Sequence, residues 1–303
     1  MTEGSTRSEL VADIATGGAA PIRPARRKMF NGWAVTMVPG LAFLTAFFLI
    51  PLGWMVVRSF NDPGPENYRI FVDNSLYLHV MWTTLRTSGI VTVTTLLLGY
   101  PYAYMMLRGG LRMTTILGAL VLVPFWSSIL VRTYAWTVLL QDSGVVNSVL
   151  QRLHLIEAPL TLMRSDMGVT IGMSHILLPY MVFPIYAVML RIDPDLVPAA
   201  ESLGARPARA FVRVFWPLSL PGVFAGSLLV FVLAIGFYIT PAVLGSPSNT
   251  MYSVLVVDMV NKQLKFGVGS AMAVVLLVVT LALVWVGTRV VRLGDVLGVE
   301  IGQ

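Results

Sequence analysis

Residues 191–222, RIDPDLVPAAESLGARPARAFVRVFWPLSLPG, decide how this chain is read. Long apolar runs flank them on both sides, so a polar segment with four arginines stands between two stretches that suit lipid. Asp193-Pro194 is a helix start, with Asp as cap and Pro at the first helical position. Leu196, Ala199, Ala200 and Leu203 then share one helical face, and Gly204 suits the left-handed position that ends a helix. Pro207 opens a second short helix that carries Arg209 and Arg213 and has Phe211, Val214 and Phe215 as its apolar side. Pro217 and Pro221 close the segment. Two short helices topped by small side chains let another protein's groove approach closely. The same pattern also suits an amphipathic loop lying on lipid headgroups, and these features alone leave both open.

Outward from this loop, the solvent is set by composition. The 303 residues are 56% apolar and 12% charged, and mean hydropathy is +0.78. A soluble domain carries roughly 25% charge, so a bilayer is the natural surrounding. The net charge of +6 does not point to nucleic acid, because the arginines cluster in short segments between apolar runs. That is a topogenic pattern. With no cysteine there is no disulfide or thiolate metal site. His79 and His154 fall in segments outside the membrane and His175 within a span, so no metal set assembles; His175 reads as a helix-packing hydrogen-bonder.

Six apolar runs, at about 29–57, 83–107, 114–140, 168–190, 218–244 and 267–288, predict an all-α membrane protein with six transmembrane helices. The first is too long for a signal peptide and is retained. Residues 1–28 form a polar cytoplasmic tail ending in the basic run Arg23–Lys28, 29–292 the transmembrane domain, and 293–303 a short cytoplasmic tail. Between the first two spans, Asp62-Pro63-Gly64-Pro65 is a turn. A short amphipathic helix follows it, with Tyr68, Phe71, Leu76 and Tyr77 toward the membrane interface. Six spans put both termini on one side. Thirteen basic residues then fall on that side and six (Arg58, Arg69, Arg152, Arg164, Lys262 and Lys265) on the other, which makes both termini cytoplasmic.

The segment AAESLGARPARAFVRVFWPLSLPG resembles the loop by which ABC importer permeases of type I grip their ATPase: Glu-Ala-Ala, three residues, Gly, nine residues, Ile-x-Leu-Pro. Ala199, Ala200 and Gly204 match, and Val214 with Trp216-Pro217 follows at the right distance. Pro198 stands where the motif has Glu, with Glu201 as a substitute, and Trp216 replaces Leu. The resemblance implies an ATPase-coupling surface made of Leu196, Ala199, Ala200, Glu201, Leu203, Gly204, Arg206 and Arg209. WTTLRTS (82–88), GYPYAY (99–104), VPFWSSILVRTYAWTVLLQDSGVVNSVL (123–150) and GFYITPAVLG (236–245) are similar to spermidine/putrescine-type ABC permeases. This implies a multi-pass protein of the bacterial inner membrane that works with a second permease subunit, two ATPase subunits and an extracytoplasmic solute-binding protein. The chain itself would carry no cofactor, with ATP and Mg held on the partner ATPase.

The residues agree with that division of labour. No G-x-x-x-x-G-K-[ST] loop occurs, and the only lysines are Lys28, Lys262 and Lys265, so the ATPase is a separate chain. Arg132 lies inside an apolar run, where a charge costs at least ~2.5 kcal/mol. It either faces a cavity or partner, or reaches the outer headgroups near Asp142. Trp126, Arg132, Tyr134, Trp136, Phe237 and Tyr238 are the candidate substrate path, since ring faces hold cations. Aromatics at span ends equally form interfacial belts and core. None of the fifteen Asp and Glu lies mid-span. Some polyamine permeases carry Glu in the stretch matching GFYITPAVLG, where Phe237 and Ala242 stand here. Either the partner chain supplies negative charge, or rings and carbonyls suffice, or the substrate is another solute. A secondary transporter would show relay carboxylates in its spans, and a membrane enzyme a cluster of acid, base and nucleophile; neither set is present.

Overall fold

A computed structural model describes residues 32–296. The basic run Arg23–Lys28 and the last residues of the C-terminal tail lie outside the described residues. Once backbone enters lipid, every N–H and C=O must be satisfied within its own segment, and helix is the outcome. The helices are α1 (Gly32–Asn61), α2 (Glu66–Asp73), α3 (Ser75–Arg108), α4 (Leu111–Leu122), α5 (Ile129–Leu140), α6 (Val145–Arg152), α7 (Asp166–Met189), α8 (Leu196–Ser202), α9 (Pro207–Ala210), α10 (Trp216–Ile235), α11 (Ile239–Leu244), α12 (Tyr252–Asn261) and α13 (Phe266–Val296). Among the described residues, five continuous helical stretches are long and apolar enough to cross a membrane, and a bent pair makes a sixth.

The chain divides into two units at Leu52–Gly53. In the first, α1 up to Leu52 is apolar on all sides and its described side chains are largely exposed, as suits a helix set in lipid.

In the second unit, α7 is the central helix and packs against both α3 and α10. Met173, Leu177, Met181, Ile185 and Met189 are fully buried along it at helical spacing. Glycines bring the neighbouring backbones in. A Cβ at Gly222 of α10 would stand 2.9 Å from the Ile185 Cα, and one at Gly226 3.1 Å from the Met181 carbonyl oxygen. Between helices in lipid, such small residues supply the close packing that holds a bundle together. Ser165 starts α7 by accepting the Gly168 N–H at 3.1 Å.

A second apolar cluster joins Tyr77, Val80, Tyr252, Met259 and Met272, with Ile70 and Phe71 against it. Phe71 therefore packs edge-on against Tyr77, 5.1 Å between centroids, and Tyr77 is buried. The aromatic face of α2, expected at the membrane interface, packs against α3 and α13 instead. Only Leu76 of the four expected residues is well exposed. Asn67 ties the preceding turn down through bonds to the Ser59 and Asp62 carbonyls, 2.9 and 2.8 Å.

Two spans differ from the expectation. The run at 114–140 is not one straight helix: α4 with its 3₁₀ extension to Trp126 meets α5 at a bend of 102° through Ser127–Ser128. Hydropathy reports that a segment is apolar, not that it is straight. The fifth span is the continuous stretch Pro207–Ile235, and α11 is a separate short helix beyond the Gly236–Tyr238 break, with Thr240, Pro241 and Leu244 buried.

Candidate functional site

The 191–222 loop folds as a short helix pinned by its C-terminal turn. The Gly204 N–H donates to the Glu201 carbonyl at 2.9 Å and the Ala205 N–H to the Ala200 carbonyl at 3.1 Å. This crossed pair of bonds needs a left-handed residue, and Gly204 has φ +90°. At the other end, Asp193 accepts the Asp195 N–H at 2.9 Å and forms a turn. The helix itself starts at Leu196, so Asp193 precedes α8 instead of capping it and Pro194 is in the turn. Leu196, Pro198, Ala199, Glu201, Leu203 and Gly204 are exposed, while Val197 and Ala200 turn inward. Leu203, at 91% exposed, is an apolar knob in the open. Arg206 and Arg209 flank it, both exposed. Pro198 fits because the first helical turn has no internal acceptor for its missing N–H.

Pro217 and Pro221, expected to close the loop, lie inside the helix that becomes α10. The chain accommodates them by widening Phe211–Phe215 into a π turn, in which the Trp216 N–H reaches back five residues to the Phe211 carbonyl. That turn is held by rings. Phe211 and Phe215 stack on each other at 5.5 Å, and Tyr104 of α3 meets them edge-on at 5.4 and 5.3 Å. One turn along, Tyr100 packs on Trp216 at 4.7 Å and shares a 2.9 Å hydrogen bond with Ser219. A cavity of about 170 Å³ at the root of the loop is lined in part by Arg108, Asp193, Val197 and Phe215.

The two helix breaks meet along α7. Thr133 of α5 and Thr240 of α11, both fully buried, share a 3.1 Å hydrogen bond. A Cβ at Gly172 would stand 2.8 Å from the Thr240 methyl, so α11 lies directly on α7. Trp136 Nε1 donates to His175 Nδ1 at 3.2 Å. That bond requires a neutral imidazole with its proton on Nε2. Phe125 lies 5.7 Å from Tyr180 by ring centroids. Arg132, between Phe125 and Trp136 in sequence, is half-buried. The Ser253 hydroxyl donates to the Phe237 carbonyl at the second break.

Comparison with known proteins places the chain. The model of binding-protein-dependent transport system inner membrane components matches residues 113–293. The spermidine/putrescine transport system permease protein PotB of Haemophilus influenzae is 32% identical over 268 residues, 86% of this chain and 94% of that protein. This chain is an inner membrane component of a binding-protein-dependent transport system. The inner membrane ABC transporter permease protein YdcU of Escherichia coli is 34% identical over 232 residues, 68% of this chain and 73% of that protein. Among solved structures, a bacterial alginate ABC transporter in complex with alginate pentasaccharide-bound periplasmic protein superposes with a TM-score of 0.71. The match has 16% identity over 86% of this chain and 93% of that chain, and carries the fold alone.

The permease thus has two candidate regions, and its sequence-predicted residues divide between them. Trp136 faces α7, and Arg132, one helical turn away, is half-buried. Tyr134 lies between them, turned by roughly 200° around the helix, and is 60% exposed. Trp126, at the apex of the bend, is 90% exposed. Phe237 packs against the core and Tyr238 is partly open. Residue-by-residue reading missed Tyr100, Tyr104 and Ser219, which anchor the loop. The quoted GYPYAY stretch contained both tyrosines, and their four-residue spacing was the available signal.

Proposed function

We propose that this permease subunit moves a polyamine of the spermidine/putrescine class inward, driven by ATP hydrolysed on separate chains. The 32% identity to PotB over 86% of the chain carries this reading. The basic loop 191–222 and both termini face the cytoplasm. The exposed apolar face of α8, Leu196, Ala199 and Leu203, enters a groove of the ATPase, with Gly204 leaving room at its edge. Two ATPase subunits hold ATP and Mg. A second, different permease subunit completes the pore, and a soluble binding protein delivers cargo on the opposite side.

The geometry supports a route from loop to pore. Val197 and Ala200 seat α8 on the chain, the ring contacts of Phe211 and Phe215 join it to Tyr104, and the π turn runs without interruption into α10. When the ATPases close, displacement of α8 is passed to α3 and α10 together. At the far end of α10 the chain breaks at Gly236. The carbonyl end of a helix carries partial negative charge, and broken helices near the midplane are where transporters hold cargo. An ammonium group is held there by carbonyls and by the faces of Phe237 and Tyr238.

The test is uptake of labelled putrescine and spermidine in cells with and without the gene, with unlabelled amino acids and other cations as competitors. Loss of saturable uptake on deletion, with only polyamines competing, supports the assignment. Unchanged uptake removes the polyamine cargo and turns the search to neutral or anionic solutes.

A further inference from the structure

Arg132 needs an anion that the described residues do not offer. Its Nε is buried and has no hydrogen-bond partner among them. Asp142 is ten residues further along the chain, exposed, and beyond the end of α5. Asp166 is at the first residue of α7. Asp258 is already paired with Lys262 at 2.9 Å, a contact that holds the Lys262 ammonium above its usual range. Half-buried in this chain, Arg132 loses further contact with solvent when a second subunit covers it, and a buried charge without a counter-charge is far more costly than a paired one.

The depth of Arg132 narrows the source. α7 has 24 residues, about 36 Å at 1.5 Å each. His175 and Tyr180, the α7 residues that Trp136 and Phe125 meet, lie about 14 and 21 Å from its first residue. Phe125 and Trp136, on either side of Arg132 in sequence, contact these same two residues. Arg132 is therefore in the middle third of the span, deeper than a guanidinium reaches from a phosphate layer. A polyamine is cationic and cannot supply the charge. We propose that Arg132 pairs with a carboxylate of the second permease subunit, so that the break between α4 and α5 is a charged contact across the pore. The charge pair also fixes how the two subunits face each other, because in lipid a misplaced guanidinium meets no alternative partner.

This rests on the permease reading above and on a cationic cargo, and subunit association can be read without transport. The full chain, tagged and co-expressed with its second permease and ATPase, is purified in mild detergent, and the recovered second permease is measured. Arg132→Gln is expected to lower recovery roughly tenfold or more, as removal of one member of a buried pair does. Arg132→Glu should lower it further, and Arg132→Lys least. With Arg132→Glu as background, exchanging the spanning carboxylates of the second permease one by one for Lys or Arg should find one exchange that restores recovery. That rescue separates pairing from misfolding. Full recovery with Arg132→Glu, or a loss that no exchange restores, overturns the pairing. Failed polyamine uptake with normal pairing overturns only the cargo.

Discussion

Tyr104 on α3 meets Phe215, in the widened turn before α10, edge to face, with centroids 5.3 Å apart and ring planes at 75°. Phe215 is 4% exposed, and through this contact the 191–222 loop is joined to a helix more than a hundred residues earlier. The edge-to-face arrangement lets a positive ring edge meet a negative face, which adds to the area buried.

Phe215→Ala should therefore cost roughly 3–5 kcal/mol, the range for removing a buried ring. Phe215→Leu should cost less than half of that. Thermal unfolding of the purified complex in detergent checks both. Transport should fall in the same order, because the alanine removes one of the ring contacts that tie the loop to α3. Equal melting of Phe215→Ala and the unaltered chain would remove the ring contacts from the account.

Gly204 separates backbone strain from bulk. A Cβ there meets nothing within 4 Å, yet φ is +90°. Gly204→Ala should destabilise α8 by roughly 1–2 kcal/mol through conformation alone, and Gly204→Asn by less. Gly204→Asp adds a charge to the exposed face. We expect normal membrane insertion with transport and ATPase co-purification lost, measured by membrane fractionation, uptake and pull-down. Unchanged uptake in Gly204→Asp would sink the assignment of this surface to the ATPase.

The legible parts of the sequence were those in which one residue type admits few backbones or few solvents. Apolar runs between arginines marked the spans, because lipid excludes charge wherever the chain goes. Gly204 marked a helix end, because a left-handed position disfavours every other residue. The span at 168–190 matched α7 within two residues at its start, where Asp166 follows the Ser165 cap. Pro217 and Pro221 misled: in water they end helices, while here a π turn and neighbouring helices absorb them. The bend at Ser127–Ser128 left no mark on hydropathy, although Pro124 and the serine pair stand beside it. Arg132 was legible as an anomaly, but its company, His175 and Tyr180, depends on how α5 lies on α7 and no local pattern encodes it.

Gly222 tests the packing of α7 on α10. The added Cβ would meet the Ile185 Cα at 2.9 Å and the Pro184 carbonyl oxygen at 3.0 Å, and backbone cannot swing aside as a side chain does. Gly222→Ala should cost about 1–3 kcal/mol, and Gly222→Leu should abolish accumulation of the folded chain. Gly110→Ala, with nothing within 4 Å of its Cβ, should stay within about 0.5 kcal/mol of the original. Fluorescence-detected gel filtration after a heat series ranks the three. A stable Gly222→Leu would mean that the helices tolerate a wider spacing than the glycine imposes.

His175 accepts the Trp136 N–H and so sets the position of α5 on α7. His175→Leu preserves bulk but leaves the indole N–H without an acceptor in a half-buried place, a loss of about 1–3 kcal/mol. His175→Gln keeps an acceptor near the same point and should recover part of that. The readout that a merely stabilising role would not move is the association of the second permease, since Arg132 lies one turn from Trp136 on the same helix. If α5 shifts when the bond is lost, His175→Leu weakens recovery of the partner as well as lowering the melting point, and His175→Gln restores both. A lower melting point with full partner recovery would confine His175 to packing within this chain and leave Arg132 positioned by the Thr133–Thr240 bond instead.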